Sequence, residues 1–298
     1  MAYERWSGTA EMEALFDRDA EGEDVRAGDV MAVRTKETVA GPQMDVEIYP
    51  VWDTRGMEAA KLRAKTEKHR QAVAAVNERR LRQKVRRLVL CNFVPGDLFL
   101  TLTYEKRDES YSLEGVRDDI KNYVAKLKRA RRRAGLSELK YLYVIERNTI
   151  KKTHTDVYHV HIFLNAMDRE TAEGLWPHGF ANSKTLKEDE SQDRFARICK
   201  YVCKSLYSWE KYERAWGKSR NLVKPEKRES ERRFSKTALR RAMKGIEEDE
   251  SRKGLQELAE RKYPEYEILR IEAHGSRYVP GVYIYIRMRR RPGREARA

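Results

Sequence analysis

The centre of the chain alternates segments that have strand periodicity with segments that have helix periodicity, and this order constrains the fold more than any other feature. Apolar side chains recur at every second position in the strand-like segments, whereas strong helix formers and an apolar arc mark the helical ones. In chain order the predicted elements are strand 98–104, helix 113–134, strand 140–148, strand 157–165, helix 168–175, a strand ending at 186 and helix 192–209. Two strands joined directly to each other predict an antiparallel hairpin.

We therefore predict an α+β fold in which an antiparallel sheet carries helices on one face, with a ferredoxin-like or RNA-recognition-like plan. Strand-like stretches near the C-terminus are expected either to pair with each other or to extend this sheet. The predicted organisation is an acidic, flexible N-terminal segment (1–56), a long basic helix (57–92), the α+β core (93–225) and an α/β extension with a basic tail (226–298).

Charge is distributed unevenly along the chain. The net charge is +15, but the first 50 residues contain five Lys or Arg and twelve Asp or Glu, so the remainder carries +22. Residues 61–87 alone contain eleven basic and two acidic side chains. A chain of this kind usually meets a polyanion, and nucleic acid is the first candidate. We expect the basic helices 57–92 and 113–134 to contact phosphates, although a solvated face is the alternative for each.

Several classes of protein are disfavoured by composition. No run of about 18 apolar residues is present, so we expect neither a transmembrane helix nor a membrane partner. The N-terminus has no basic-then-apolar leader, and three cysteines are too few for a disulfide framework, which favours the cytoplasm. The GKS at 217–219 lacks the upstream glycine of a phosphate-binding loop, since that position is Tyr212, so no nucleotide cofactor is expected.

The strand 157–165 contains the most informative chemistry. His159 and His161 are two residues apart, so their side chains leave the same face of the strand. If the numbers of paired residues in the preceding hairpin sum to 305, Glu146 lies opposite His159 on that face. Two imidazoles and one carboxylate, with positions left open for water and phosphate oxygens, favour Mg²⁺ or Mn²⁺. A pair of ordinary surface histidines is the alternative.

The helix 192–209 contributes a candidate nucleophile. Its apolar arc includes Cys199 and Cys203, which we assign to the core, and Tyr201 and Lys204 are neighbours on the opposite face. A phenol with a pKa of about 10 needs a cation or a base to attack at neutral pH. Lys204, with Arg197 one turn earlier, is placed to stabilise the negative charge.

Three motifs, in this order, resemble the HUH endonucleases, and specifically the rolling-circle replication initiators of plasmids and single-stranded DNA phages. They are FLTLT (99–103), HVH (159–161) and YVCK (201–204), accompanied by WPHG (176–179) and WGKSRNL (216–222). The resemblance spans about residues 97–224. A second tyrosine at the helical spacing of the phage enzymes is missing, so we expect a single catalytic tyrosine.

The resemblance implies a metal-dependent enzyme that nicks one DNA strand at an origin and later rejoins it. His159, His161 and Glu146 would hold the metal, and Tyr201, beside Lys204, would form a 5′-phosphotyrosine link. The implied partners are single-stranded DNA or an origin hairpin, with a host helicase and polymerase, in a prokaryotic host of a plasmid or virus. Further DNA contacts are expected from Thr101, Thr103, Arg197, Trp216, Lys218 and Arg220.

Three other functions fit the same residues. A conjugative relaxase uses related chemistry, but its tyrosine usually lies near the N-terminus. A single-tyrosine transposase shares the motif order and is usually shorter. A non-catalytic nucleic-acid-binding protein would use the sheet as a platform for stacking bases, yet the first strand of the core offers Thr101 and Thr103 where aromatic residues would be expected.

Overall fold

A computed structural model describes residues 30–52, 67–105, 112–150, 155–187, 195–204, 215–239, 241–242, 253–275 and 282–291. The chain divides into two compact units, one made of residues 81–224 and the other of residues 1–80 together with 225–298. Each unit contains a five-stranded antiparallel sheet. The α+β fold class is confirmed. No helix within these ranges is long and apolar enough to cross a membrane.

The sheet of unit 81–224 has the strand order β6-β3-β5-β4-β7. Its strands are β3 (Leu98–Thr103), β4 (Tyr141–Ile150), β5 (Thr155–Leu164), β6 (Ala181–Thr185) and β7 (Trp216–Lys218). The helices are the C-terminal part of α1 (Glu67–Asn92), then α2 (Leu113–Arg133), α3 (Arg169–Gly174) and α4 (Ala196–Lys204). The alternation predicted for residues 98–209 is therefore observed within the described ranges.

Helices cover both faces of this sheet, whereas the sequence predicted one covered face. Leu100, Val160 and Ile162 pack with α2 and α3 on the first face. On the second face, Phe99, Leu142, Val144 and Phe163 pack with α1 and α4. The reason is that both alternating sets of the strands contain large apolar residues, so each face removes apolar surface from water only when a helix covers it.

Part of the basic surface predicted for 57–92 is buried. Helix α1 is described from Glu67, and its last turns place Val85, Leu88 and Val89 in the core of unit 81–224. Arg86 and Arg87, which lie between these positions, are also buried. The phosphate-binding role expected for this helix therefore does not extend to its C-terminal arginines as a solvated row. Residues 57–66 lie outside the described ranges.

The other unit joins both ends of the chain in a sheet of order β8-β1-β2-β10-β9. Its strands are β1 (Val30–Ala40), β2 (Gln43–Trp52), β8 (Glu226–Ser230), β9 (Tyr266–Gly275) and β10 (Val282–Arg290), and helix α5 (Lys253–Lys262) packs on it. Gly41, at φ 55°, allows the two-residue turn between β1 and β2. Strands therefore stand where an irregular segment was predicted within 1–56; residues 1–29, 53–56 and the tail 292–298 are not described.

Candidate active site

The hairpin of β4 and β5 has the predicted register. Glu146 pairs with His159, and Val144 pairs with His161, so the residue numbers sum to 305. On the other side of β5, Thr103 pairs with His159 and Thr101 with His161. Directly opposed residues of an antiparallel pair share one face, so these side chains form two rows across the sheet.

These two rows lie at the open end of the face that α1 and α4 cover. Phe99, Phe163 and Leu142, one row further in, are all buried. His161 in the next row is 1% exposed, whereas His159 and Glu146 in the outermost row are half-buried. The candidate site is thus a place where a packed sheet face reaches solvent.

His161 is held by a partner at each ring nitrogen. Its Nε2 lies 3.0 Å from Glu146 Oε2, and its Nδ1 lies 3.2 Å from Thr101 Oγ1. The ring of Phe99 stacks on the imidazole with centroids 5.8 Å apart and an interplanar angle of 9°. Thr101, which was predicted to contact DNA, therefore orients His161, and Phe99 is a supporting residue that the sequence did not indicate.

Burial lowers the pKa of His161, and the hydrogen bond to Glu146 opposes that effect. The ring is therefore neutral at pH 7, and the contact with Glu146 is a hydrogen bond from a neutral imidazole rather than an ion pair. With the proton on Nε2, Nδ1 accepts from the Thr101 hydroxyl. With the proton on Nδ1, the imidazole donates to Thr101 Oγ1 and leaves Nε2 free to bind a cation.

Helix α4 brings Tyr201 to this cluster. Phe195, Cys199 and Val202 are buried in the core, which confirms the apolar arc and the core position of Cys199. Tyr201 is 53% exposed on the other side of the helix. Its ring meets His161 edge-on, with centroids 5.1 Å apart and an interplanar angle of 71°. Two residues that are well separated in the sequence are thus in contact.

The environment of Tyr201 keeps its phenol protonated. Burial raises its pKa, and the negative charge of Glu146 raises it further. Arg197 is exposed on the same helix. Lys204 is the last residue of α4, and its side chain, like that of Cys203, lies outside the described residues, so the predicted pairing of Lys204 with Tyr201 stays a prediction.

The donor set suits a divalent cation at two of its three members. Adjacent ligands of an octahedral ion at about 2.1 Å are about 3 Å apart, which is the separation of His161 Nε2 and Glu146 Oε2. His159 lies opposite Glu146, but no three His, Cys, Asp or Glu side chains within the described ranges are arranged to hold an ion. The assignment of His159, His161 and Glu146 as metal ligands therefore stays a prediction.

The other predicted DNA-binding residues are spread over unit 81–224. The Thr103 hydroxyl donates to the backbone oxygen of Phe180 at 3.0 Å. Trp216 is half-buried in β7 with Lys84 Nζ 5.3 Å from its ring centroid, and Lys218 follows two residues later. Arg220 acts electrostatically on Tyr141, whose side chain belongs to the opposite face of the sheet. The structure does not bring Arg220 to the His161 cluster.

The WPHG motif anchors a turn at the end of β3. Trp176 is buried and donates from Nε1 to the Thr103 carbonyl oxygen at 3.0 Å, and His178 lies 3.2 Å from Asp119. Gly179 has a φ of 148°, and a Cβ there would clash with the backbone nitrogen of Glu105. The motif is therefore explained by packing, because a side chain at position 179 would push the turn off the strand.

The comparisons with known proteins agree with this part of the chain. No curated protein and no solved structure matches the sequence significantly. Residues 97–206, which include β3, the hairpin of β4 and β5, and Tyr201, match the model of a family of replication-associated proteins of the ORF2 type. This match supports a role in DNA replication, and it is consistent with a rolling-circle replication initiator.

Proposed function

We propose that this protein initiates rolling-circle replication by nicking one DNA strand at an origin, with Tyr201 as the nucleophile. The observation that carries the proposal is the edge-on contact between Tyr201 and His161, because it joins a hydroxyl to a candidate metal ligand within a segment that matches a replication family. Neither the contact nor the match alone identifies a nuclease. Their combination is what nucleophilic attack on a phosphodiester needs.

The reaction is a transesterification. The Tyr201 phenol loses its proton as its oxygen forms a bond to phosphorus, while the bond from phosphorus to the 3′ oxygen breaks. The departing oxygen takes up a proton and becomes the 3′-hydroxyl that primes synthesis, and the 5′ phosphate stays on the tyrosine. Attack by a 3′-hydroxyl on the phosphotyrosine reverses these steps and rejoins the strand, so no nucleotide cofactor is consumed.

The chain's own residues set the conditions for this attack. Phe99 and Thr101 hold the His161 ring in place, and α4 holds Tyr201 against that ring. Because the pKa of Tyr201 is raised by burial and by Glu146, the phenol is a poor nucleophile until the charge of Glu146 is neutralised. We assign Mg²⁺ or Mn²⁺ to His161, Glu146 and His159; such an ion supplies Lewis-acid stabilisation of the scissile phosphate and offsets the Glu146 charge.

The experiment uses a single-stranded DNA library with a randomised central segment, incubated with Mn²⁺ and the full chain. We expect a covalent protein–DNA adduct that survives denaturation, whose attached 5′ end can be sequenced to give the nick site. Tyr201→Phe should form no adduct, and His161→Ala should form very little. Tyr141→Phe is the matched control, since Tyr141 lies on the opposite face of the same sheet, and it should react like the wild type.

The outcomes separate the possible functions. An undiminished adduct from Tyr201→Phe would show that another residue attacks. If the wild type binds the library but forms no adduct with any sequence, the protein is a nucleic-acid-binding protein without this chemistry. Cleavage that persists in the presence of a chelator would contradict the metal assignment while leaving the nucleophile in place.

A further inference from the structure

Strand β6 is an edge strand that continues the site face. It pairs with β3, and Asn182 lies opposite Thr101. Extending the same register by one residue places Phe180 opposite Thr103, and Thr103 lies opposite His159. Phe180, Thr103, His159 and Glu146 therefore form one row across the sheet. Since adjacent strands are about 4.8 Å apart, Phe180 is about 10 Å from His159 at the backbone.

Phe180 is unusual because its backbone is fixed while its side chain is open to solvent. The Thr103 amide donates to the Phe180 carbonyl oxygen at 2.8 Å, and the Thr103 hydroxyl donates to the same oxygen at 3.0 Å. Beside it, Gly179 packs tightly against the backbone of β3. Yet the Phe180 ring is 67% exposed, the highest exposure recorded for a large apolar side chain in the described residues. A rigidly held, exposed aromatic ring is a surface prepared for a flat apolar partner.

Polar side chains extend this surface along the strand. Asn182 and Lys184 are exposed and share the face of Phe180, because alternate residues of a strand point the same way. Side chains two residues apart are about 6.8 Å apart along a strand. The β6 stripe, which we define as Phe180, Asn182 and Lys184, thus presents an aromatic ring, an amide and an ammonium group in a line beside the candidate active site.

We infer that the β6 stripe binds single-stranded DNA next to the scissile phosphate, with one unstacked base against Phe180 and a backbone phosphate at Lys184. The inference rests on the proposed function for the identity of the nearby site. Single-stranded DNA is the occupant we choose because a base offers a π-face, a phosphate complements Lys184, and the stripe is continuous with the row that contains His159. A duplex keeps its bases stacked, so it cannot use the Phe180 ring in this way.

The test measures binding without cleavage. A fluorescein-labelled single strand of mixed sequence, and the duplex of the same sequence, are titrated with the full-length Tyr201→Phe protein by anisotropy over a range of salt concentrations. Adding Phe180→Ala should weaken single-strand binding by about 5- to 150-fold, the range for loss of one stacked base. Duplex binding should not change. Phe180→Trp should retain affinity, whereas Phe180→Leu, which is apolar but has no aromatic face, should not.

Lys184 is tested through the salt dependence. Lys184→Ala should reduce the slope of log K against log salt by about 0.7 for single-stranded DNA, as expected for one lost phosphate contact. Leu136→Ala and Lys128→Ala are the matched controls, since both residues are exposed and lie at or on α2, which covers the other face. Equal losses from Phe180→Ala and Leu136→Ala, or from Lys184→Ala and Lys128→Ala, would overturn the inference.

The two proposals fail in different ways. The titration contains no cleavage step, so a stripe that binds DNA in a protein that forms no adduct would preserve this inference and remove the nuclease. Unchanged single-strand affinity in Phe180→Ala, together with normal adduct formation, would remove the stripe and preserve the nuclease. Circular dichroism of each variant checks that the fold is retained; if Phe180→Ala is unfolded, the Phe180→Leu protein carries the decision.

Discussion

The two sheets of this protein have the same number of strands and the same antiparallel pairing, but they bury polar groups for different purposes. In unit 81–224 both faces are apolar, and the buried His161 is an exception among phenylalanines. In the other unit one face carries the core, and the opposite face has cross-strand polar contacts such as Tyr285 with Asp45, at 2.7 Å. A buried polar group therefore indicates function in the first sheet and structural support in the second.

Polar groups also enter the core face of the second sheet. Glu37 is buried there, accepts a hydrogen bond from the Tyr263 hydroxyl at 2.6 Å, and pairs with Arg233 at 2.8 Å. This carboxylate is enclosed by its partners. Glu146 in the other unit has an imidazole on one side and solvent access on the other. The difference teaches that access to solvent and to an exposed nucleophile, rather than burial of charge as such, distinguishes a candidate site.

The largest expected effect tests whether both faces of the first sheet are cores. Phe163 is fully buried on the face of α1 and α4 and contacts Phe93 and Phe99. Phe163→Ala should lower the free energy of unfolding by about 3–5 kcal/mol, because it removes apolar contacts and leaves a cavity. Urea denaturation measures the change. Val94→Ala, at an exposed position, should stay within about 0.5 kcal/mol; a similarly small loss from Phe163→Ala would mean that this face is not a core.

The second prediction tests structural polar burial. Tyr263→Phe removes the hydroxyl that donates to Glu37 and should lower the free energy of unfolding by about 1–3 kcal/mol. Burial and the bond to Glu37 raise the pKa of Tyr263 above its usual value. The unfolded chain loses this proton near pH 10 while the folded chain keeps it, so stability falls as the pH rises above about 10.

Denaturation curves at neutral and alkaline pH check both parts of this prediction. The Tyr263→Phe protein should lose stability less steeply than the wild type above about pH 10. An identical alkaline slope in the two proteins would show that the hydroxyl of Tyr263 does not titrate differently in the folded chain.

The third prediction concerns a polar group that serves the site. Thr101→Val keeps the branched shape of the side chain but removes the partner of His161 Nδ1. We expect adduct formation at limiting Mn²⁺ to fall by about 10- to 100-fold, as is typical when the partner of a metal-binding histidine is lost. Rates measured over a range of Mn²⁺ concentrations should show that a higher metal concentration is needed for half-maximal rate. A uniform rate loss at all Mn²⁺ concentrations would instead point to a general packing defect.

The smallest effect is expected from the corresponding change in the other sheet. Thr35 is buried, and its Oγ1 has no hydrogen-bond partner among the described residues. Thr35→Val should leave the free energy of unfolding unchanged or raise it by about 1 kcal/mol, since an unpaired buried hydroxyl costs free energy. Thermal unfolding detects the shift, and destabilisation of more than about 1 kcal/mol would reveal a partner for this hydroxyl.

The local features of the site could be predicted from the sequence because they depend on periodicity. The alternation around His159 and His161 determines their shared face, and a one-residue slip of the hairpin would have moved Glu146 to the other face. Likewise, the arc of α4 predicted that Tyr201 lies away from the core. These inferences use only residues that are close in the chain or joined by one hairpin.

Features that depend on distant parts of the chain could not be predicted in this way. The pairing of β2 with β10 joins opposite ends of the chain, for example Ile48 with Ile284, and no local pattern specifies such a partner. The alternating residues of β1 and β2 around Gly41 did contain a hairpin signal, which the acidic composition of the N-terminal segment obscured. The second covered face was missed because Phe99 and Phe163 were counted as the outer side of their strands.

The packing of α4 has a mechanical consequence. In the proposed reaction the DNA strand becomes attached to a helix of nine residues, and Phe195, Cys199 and Val202 are its buried anchors. Any pull on the attached strand, for instance from a polymerase or helicase moving away, is transmitted through Tyr201 to those three side chains. The helix thus serves as a tether under load during the covalent stage, and the strength of its small apolar footing limits how much tension the protein can bear before the nucleophile leaves His161.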